Sequence, residues 1–286
     1  SHTAMALGAA LLLAQEELPG RVRFLFQPCE ETADEEGKSG AQRMSAEGAM
    51  DGVDYVIAQH VDPLKSVGTI GINAGPSSGG VDSWYATITG KGGHGAHPNT
   101  TIDPFYLMSH VIIALNAITS RRINPFDPAV VSIGSVSGGF TENVIPESVR
   151  ITGTLRFTDE AVHQQIQEEM RRAFDIVKVL GGEYKLEFLI GGPPMINDKM
   201  VSEVIEKAGQ EMLGAENVHE IVKTLGAEDF GEFLKHAPGA MFTLGTQKAG
   251  HEEYLLHHPK FDLDERALPI GTAMLVETAK RFLAQK

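Results

Sequence analysis

A change of pattern along the chain constrains its fold more than any other feature of the sequence. Before residue 74, helical segments alternate with short apolar strands, which is typical of an α/β domain with a mostly parallel sheet. A glycine-rich stretch over 74–80 then indicates a hinge. After it, elements follow in the order strand, helix, strand, strand, helix, strand, which predicts an inserted ferredoxin-like α+β domain.

The pattern predicts individual elements on both sides of this hinge. The first region has helices over 2–17 and 39–47 and strands over 21–26 and 54–60. The inserted region has strands over 83–89, 130–136, 149–157 and 184–189, with helices over 103–119 and 160–180. The stretch 191–194, Gly-Gly-Pro-Pro, leads back to helices over 199–213 and 264–284. We therefore predict a discontinuous α/β domain over 1–77 and 191–286, with the inserted domain over 78–190.

Composition narrows the possible partners and the compartment. The 286 residues suit two domains, and a formal net charge of −14 argues against a nucleic-acid partner. The longest apolar run, 6–14, is too short to span a bilayer, and no signal peptide is expected. The single cysteine, Cys29, excludes an intrachain disulfide framework and favours a reducing compartment. We expect a cytoplasmic protein without a membrane partner.

Acidic and histidine side chains follow two of the predicted strands. Glu30 and Glu31 follow the strand over 21–26, and His60 ends the strand over 54–60. Ligands bind beyond the carboxyl ends of parallel strands, and neighbouring carboxylates can divide metal binding from general-base catalysis. The alternatives are a solvated acidic loop for the glutamates and a hydrogen-bonded polar residue for His60.

Two further histidine motifs are candidates for chemistry. In Gly-Gly-His-Gly-Ala-His-Pro over 92–98, glycines allow His94 to approach a substrate and stabilise an oxyanion, and His97 lies beside it. The alternative is a turn whose histidines cap backbone groups. One of His257 and His258 could complete a metal site. The remaining histidines are interpreted as structural or surface residues: His2, His110, His163, His219, His236 and His251.

Taken together and in this order, the motifs resemble the di-metal aminoacylase and carboxypeptidase family. The most similar branch contains the hippurate hydrolases, the indole-acetyl-amino-acid hydrolases and the N-acyl-L-amino-acid amidohydrolases. The matching stretches are 1–5 (SHTAM), 26–31 (FQPCEE), 92–98 (GGHGAHP), 143–146 (NVIP), 153–156 (GTLR), 226–230 (GAEDF) and 257–259 (HHP). The resemblance extends over the whole chain.

The resemblance implies a metal-dependent amidohydrolase that cleaves N-acyl amino acids or related small amides. It implies Glu30 as general base, and Glu31, His60 and His257 as ligands of two divalent ions, with zinc and manganese both suitable. On the inserted domain, it implies an oxyanion-stabilising role for His94 and substrate contacts for three further residues: His97, Asn143 and Arg156. The inserted domain would act as a lid, and a homodimer through it is expected.

One departure from the family pattern leaves alternatives open. Ser1 corresponds to the fifth position of the family motif Cys-Gly-His-Asp-x-His-Thr-Ala. The cysteine and the first histidine of that motif, which are metal ligands in the family, are therefore expected to precede Ser1. The 286 residues alone are then expected to hold at most one divalent ion tightly and to show little amidase activity. The alternatives are a dipeptidase or aminopeptidase of the same architecture, and a catalytically inactive remnant.

Overall fold

A computed structural model describes residues 1–32, 34–248, 250 and 254–284. The chain divides into two compact units. Unit 1 comprises Ser1–Ser77, Met195–Thr224 and Asp229–Lys286, and unit 2 comprises Ser78–Pro194 and Leu225–Glu228. The return of the chain to unit 2 at 225–228 has no counterpart in the predicted boundaries.

The described residues form six α-helices and twelve strands, numbered here in chain order. The helices are α1 (His2–Leu13), α2 (Gly40–Ala46), α3 (Pro104–Arg121), α4 (Glu160–Val179), α5 (Lys199–Leu213) and α6 (Ala267–Ala284). The strands are β1 (Val56–Ser66), β2 (Ile70–Gly71), β3 (Gly75–Ser78), β4 (Gly80–Thr89), β5 (Gly93–His94), β6 (Ala129–Gly138), β7 (Val144–Ile145), β8 (Ser148–Phe157), β9 (Glu183–Ile190), β10 (Met195–Asn197), β11 (Val218–His219) and β12 (Gly239–Gln247). A 3₁₀ helix spans Asp229–Lys235. Among the described residues, no helix is long and apolar enough to cross a membrane.

Unit 1 is built on a four-stranded sheet in the order β1-β12-β2-β11. The pairs β1–β12 and β11–β2 are parallel, and only β12–β2 is antiparallel. Helices α1, α5 and α6 pack against this sheet. Each contributes apolar side chains to one buried cluster, among them Met5, Ile205 and Met274. A second cluster, which includes Ala41 and Phe230, lies under α2 and the 3₁₀ helix.

Two predictions about strands in unit 1 are wrong. Residues 21–26 form no strand, because a strand needs a hydrogen-bonded neighbour and none pairs with them in the described part of the chain. Val22, Phe24 and Leu25 instead line a cavity of about 800 Å³. His60 is also not at a strand end, since the pairing of β1 with β12 continues to Ser66.

Unit 2 has the predicted element order, β4-α3-β6-β8-α4-β9. Its sheet is antiparallel throughout, in the order β6-β8-β4-β9. Asp103 and Asp159 cap the first backbone N–H groups of α3 and α4, which fixes where each helix begins. Both helices contribute to the core of this unit, whose fully buried side chains include Trp84 and Phe174. The ferredoxin-like arrangement leaves β6 and β9 at the edges of the sheet.

Candidate metal centre and substrate-binding residues

Glu30 and Glu31 lie on a loop of unit 1 that connects Gln27 to the start of α2. The loop closes on itself where the Gly40 backbone N–H donates to the Cys29 carbonyl at 3.2 Å. A Cβ at position 40 would lie 1.6 Å from the Pro28 carbonyl oxygen, so only glycine permits this close approach. The two glutamates are therefore carried by a loop whose ends are held next to each other.

A buried carboxylate, Asp229, joins the two ends of this loop. Its oxygens accept hydrogen bonds from Gln27 Nε2 at 2.7 and 2.6 Å and from the Ala41 backbone N–H at 3.1 Å. Donor oxygens of Asp229 and Glu30 also lie within 4.8 Å of one another. Asp229 lies in the motif over 226–230, to which the sequence analysis assigned no role.

The structure brings Glu31 and His257 together. His257 Nε2 lies 3.8 Å from Glu31 Oε2, and both side chains are largely exposed. His258 is engaged elsewhere, because its ring stacks on Tyr254 at 4.4 Å and its Nδ1 accepts from the Lys260 N–H. This arrangement favours His257 over its neighbour as the ligand.

His60 has a hydrogen bond that fixes which ring nitrogen is free. Its Nδ1 lies 2.9 Å from the Val61 carbonyl oxygen, which can only accept, so Nδ1 carries the proton. A neutral His60 therefore keeps the lone pair on Nε2, which is the form that coordinates a metal ion.

His2, which was interpreted as structural or surface, contacts this candidate ligand. Its ring centroid lies 4.6 Å from that of His60, and its Nε2 accepts from the Val61 N–H at 3.0 Å. Burial, followed by the nearby His60, lowers the pKa of His2 to about 4. A neutral His2 thus supports the backbone beside His60 rather than repelling a cation.

The donor types of Glu31, His60 and His257 fit a divalent transition metal, because carboxylate and imidazole both coordinate such ions. In the described part of the chain, however, their donor atoms do not all lie within 4.8 Å of one another. The two ions of a dinuclear centre lie about 3.5–4 Å apart. The roles of the three residues stay predictions.

In unit 2, the predicted catalytic residue His94 lies next to two predicted substrate-binding residues, His97 and Asn143. The backbone of β5 pairs with β7, and the Gly95 N–H donates to the Asn143 carbonyl at 2.8 Å. A Cβ at position 95 would lie 3.0 Å from that oxygen, so the glycine allows the close approach. The rings of His94 and His97 are 5.5 Å apart. The histidine loop is thereby fixed against the segment that carries Asn143.

Arg156 lies on β8, where its Nη1 donates to the Leu225 carbonyl at 2.7 Å. This hydrogen bond ties the returning segment 225–228 to the sheet of unit 2. A guanidinium has five N–H donors, so the contact leaves donors for an anionic ligand.

Another histidine taken as structural, His163, is buried beside an acid. Its Nε2 lies 2.6 Å from Asp82 Oδ2, and its ring stacks on Phe157 at 4.0 Å. Burial alone would lower the pKa of His163, but the hydrogen bonds and charges of Asp82 and Glu160 outweigh it and raise the pKa. His251, by contrast, lies outside the described residues.

Sequence reasoning missed the supporting roles of His2, Gln27 and Asp229. The motifs over 1–5, 26–31 and 226–230 contained all three residues. Their contacts join positions up to 202 residues apart in sequence, and such pairings cannot be read from local spacing.

Comparison with known proteins agrees with this description. Residues 1–281 match the family model of the peptidase family M20/M25/M40. An N-acetylcysteine deacetylase of Bacillus subtilis is 37% identical over 97% of this chain and 71% of its own length. An IAA-amino acid hydrolase of Arabidopsis thaliana is 34% identical over 100% of this chain and 66% of its own length.

A solved structure is also similar over the whole chain. It is a dinuclear metal-binding peptidase of the M20 family from Bacillus subtilis, with a TM-score of 0.84 and 33% identity. The match covers 100% of this chain and 72% of that one, so the 286 residues span about two thirds of these relatives. The matches confirm the resemblance, the mixed α/β fold class and the broad class of metal-dependent amide hydrolase.

Proposed function

Because the chain belongs to the peptidase family M20/M25/M40, we propose that it hydrolyses the amide bond of N-acylated amino acids. The named relatives, an N-acetylcysteine deacetylase and an IAA-amino acid hydrolase, support this substrate class. The observation that carries the proposal is the contact between Glu31 Oε2 and His257 Nε2 at 3.8 Å. Glu31 lies on the same loop as Glu30.

We propose that Glu31, His60 and His257 hold divalent metal, zinc or manganese, two ions per subunit with further ligands. The carboxylate of Glu31 supplies negative charge, and the Nε2 lone pair of His60 supplies a neutral donor. When bound, such ions polarise the scissile carbonyl and make water acidic enough to be deprotonated near neutral pH.

Glu30 is the proposed general base. It is adjacent in sequence to the proposed ligand Glu31, so both carboxylates are carried by the same loop. A Glu30 carboxylate oxygen accepts a proton from the attacking water. The same oxygen then returns that proton to the nitrogen of the leaving amine.

His94 is the proposed hydrogen-bond donor to the oxyanion that forms on the substrate carbonyl. Its Nδ1 accepts from the Ala96 backbone N–H at 3.0 Å, so a neutral His94 carries its proton on Nε2. His94 is exposed, which leaves that N–H accessible to a substrate. His97 and Asn143, held beside it, are proposed to contact the substrate.

Arg156 is the proposed partner of the substrate's carboxylate. Guanidinium and carboxylate form paired, charge-assisted hydrogen bonds, and the group keeps donors beyond the one used for Leu225. This assignment favours N-acyl amino acids, which carry a free carboxylate, over neutral amides.

We further propose that unit 2, the inserted domain, forms a lid and mediates a homodimer. Its edge strand β6 carries exposed residues along its second half, and an edge strand offers backbone groups to a second copy. A cytoplasmic location is proposed from the single cysteine, which suits a reducing compartment.

A substrate panel tests the proposed function and its peptidase alternative. The full-length protein, supplied with zinc or manganese, is assayed against N-acetyl, N-benzoyl and indole-acetyl amino acids and against free dipeptides of matched side chains. We expect faster cleavage of the N-acylated compounds and loss of cleavage after chelation. Faster cleavage of free dipeptides across the panel would establish the peptidase alternative instead.

A further inference from the structure

The loop that bears Glu30 and Glu31 has a neck formed by its two ends, Gln27 and Ala41. Within the loop, Asp34 accepts from the Glu36 and Lys38 backbone N–H groups, and its half-buried carboxylate pairs with Arg43 of α2. These contacts order the second half of the loop, so the first half, which bears Glu30 and Glu31, depends on what holds the neck.

Asp229 is the side chain that holds the neck from inside the protein. It is 9% exposed, and its carboxylate accepts hydrogen bonds from both ends of the loop. Its own backbone is fixed because the next residue, Phe230, packs with Phe233 and Ala41 in one buried cluster. A rigid acid thus bridges Gln27 and the first turn of α2.

The backbone directly before Glu30 shows that the loop is held in an unfavourable conformation. Cys29 has a φ of +50°, a left-handed value that costs a non-glycine residue free energy. Such a conformation persists only where the surrounding contacts impose it. If the neck opened, Cys29 would relax and the direction of the Glu30 side chain would change.

From these contacts we infer that Asp229 is a positioning residue, which fixes the general base Glu30 and the ligand Glu31 by clamping the neck of their loop. The inference rests on the proposed function for the roles of the two glutamates. It does not rest on that function for the clamp itself. Removing one residue of this kind, which orients a metal ligand, typically weakens metal binding or activity 10- to 100-fold.

Three variants separate the clamp from ordinary loss of stability. Asp229→Ala removes all three acceptor contacts. Asp229→Asn keeps an acceptor for the Ala41 N–H and can pair with a reoriented Gln27 amide. Asp198→Ala is the matched control, since Asp198 is also a unit 1 acid that caps a helix, α5, outside the loop.

The decisive measurements are amide hydrogen exchange over residues 28–39 in the metal-free protein and zinc affinity by titration. We expect at least tenfold faster exchange and 10- to 100-fold weaker zinc binding in Asp229→Ala. The Asp229→Asn variant should show smaller changes in both exchange and zinc affinity. In the full-length protein carrying Asp229→Ala, kcat should fall by a larger factor than KM rises. Asp198→Ala should lower the melting temperature without altering the loop or the zinc affinity.

Unchanged exchange over 28–39 in Asp229→Ala, or an equal change in Asp198→Ala, would overturn the inference. If Asp229→Ala does not fold, Gln27→Ala opens one end of the neck and must reproduce the faster exchange. A full-length wild-type protein that hydrolyses no N-acyl amino acid would contradict the proposed function alone, because loop exchange is measured without substrate or metal.

Discussion

Replacing His163 by alanine should destabilise unit 2 and change how its stability depends on pH. His163 and Asp82 form a buried pair at 2.6 Å, and the side chain of Asp82 is 1% exposed. Removing one partner of a buried pair typically costs about 3–5 kcal/mol, since the other charge stays buried. Two donors to Asp82 remain, the Gly191 N–H at 3.1 Å and Gln167 Nε2 at 3.2 Å. We therefore expect His163→Ala to lower the free energy of unfolding by an amount near the lower end of this range, about 3 kcal/mol.

The sign of the pH dependence follows from the direction of the pKa shift. The folded protein raises the pKa of His163 above its unfolded value of 6.5. The protonated histidine thus stabilises the fold fully below pH 6.5, and this contribution disappears as the pH rises through the folded pKa. Each unit by which the pKa is raised is worth about 1.4 kcal/mol. The alanine variant should lack this decline.

Fluorescence of Trp84 provides the assay. It is the only tryptophan in the chain and is fully buried in the core of unit 2, so it reports unfolding of that unit. Denaturant titrations at pH 6 and pH 9 are compared for the wild type, His163→Ala and a control, His110→Ala, a histidine of the same unit that contacts Tyr106. A variant within 0.5 kcal/mol (roughly the scatter of surface substitutions) of the wild type at pH 6 would refute the reasoning.

The remaining predictions concern the proposed roles at the site. In the full-length protein, Glu30→Gln should lower kcat by about 10²- to 10⁴-fold, the range of general-base catalysis, while sparing bound metal. Glu31→Gln should reduce metal content measured by mass spectrometry, and equal metal loss in both variants would contradict the division of roles. His94→Ala should lower kcat about 10²- to 10³-fold with little change in KM, as for one lost oxyanion donor. A larger effect of His97→Ala would show that the choice between the two histidines is wrong.

The sequence alone determined the order of elements and the residue types of the site. The βαββαβ pattern of unit 2 could be predicted because each strand and helix has its own periodicity and its own caps, as Asp103 and Asp159 illustrate. The candidate residues were found because their motifs are local. Glu30 and Glu31 are adjacent, and His94 and His97 lie in one glycine-rich loop.

Tertiary structure decided what these local patterns could not. Residues 21–26 have the composition of a strand, but a strand exists only through pairing with a partner elsewhere in the chain. His60 appeared to end a strand that pairing with β12 in fact extends to Ser66. The clamp of Asp229 on Gln27 joins positions 202 residues apart, so no spacing rule could have indicated it. Hydrogen bonds between distant segments form only once the chain is folded, which is why the supporting residues of the site came from the structure.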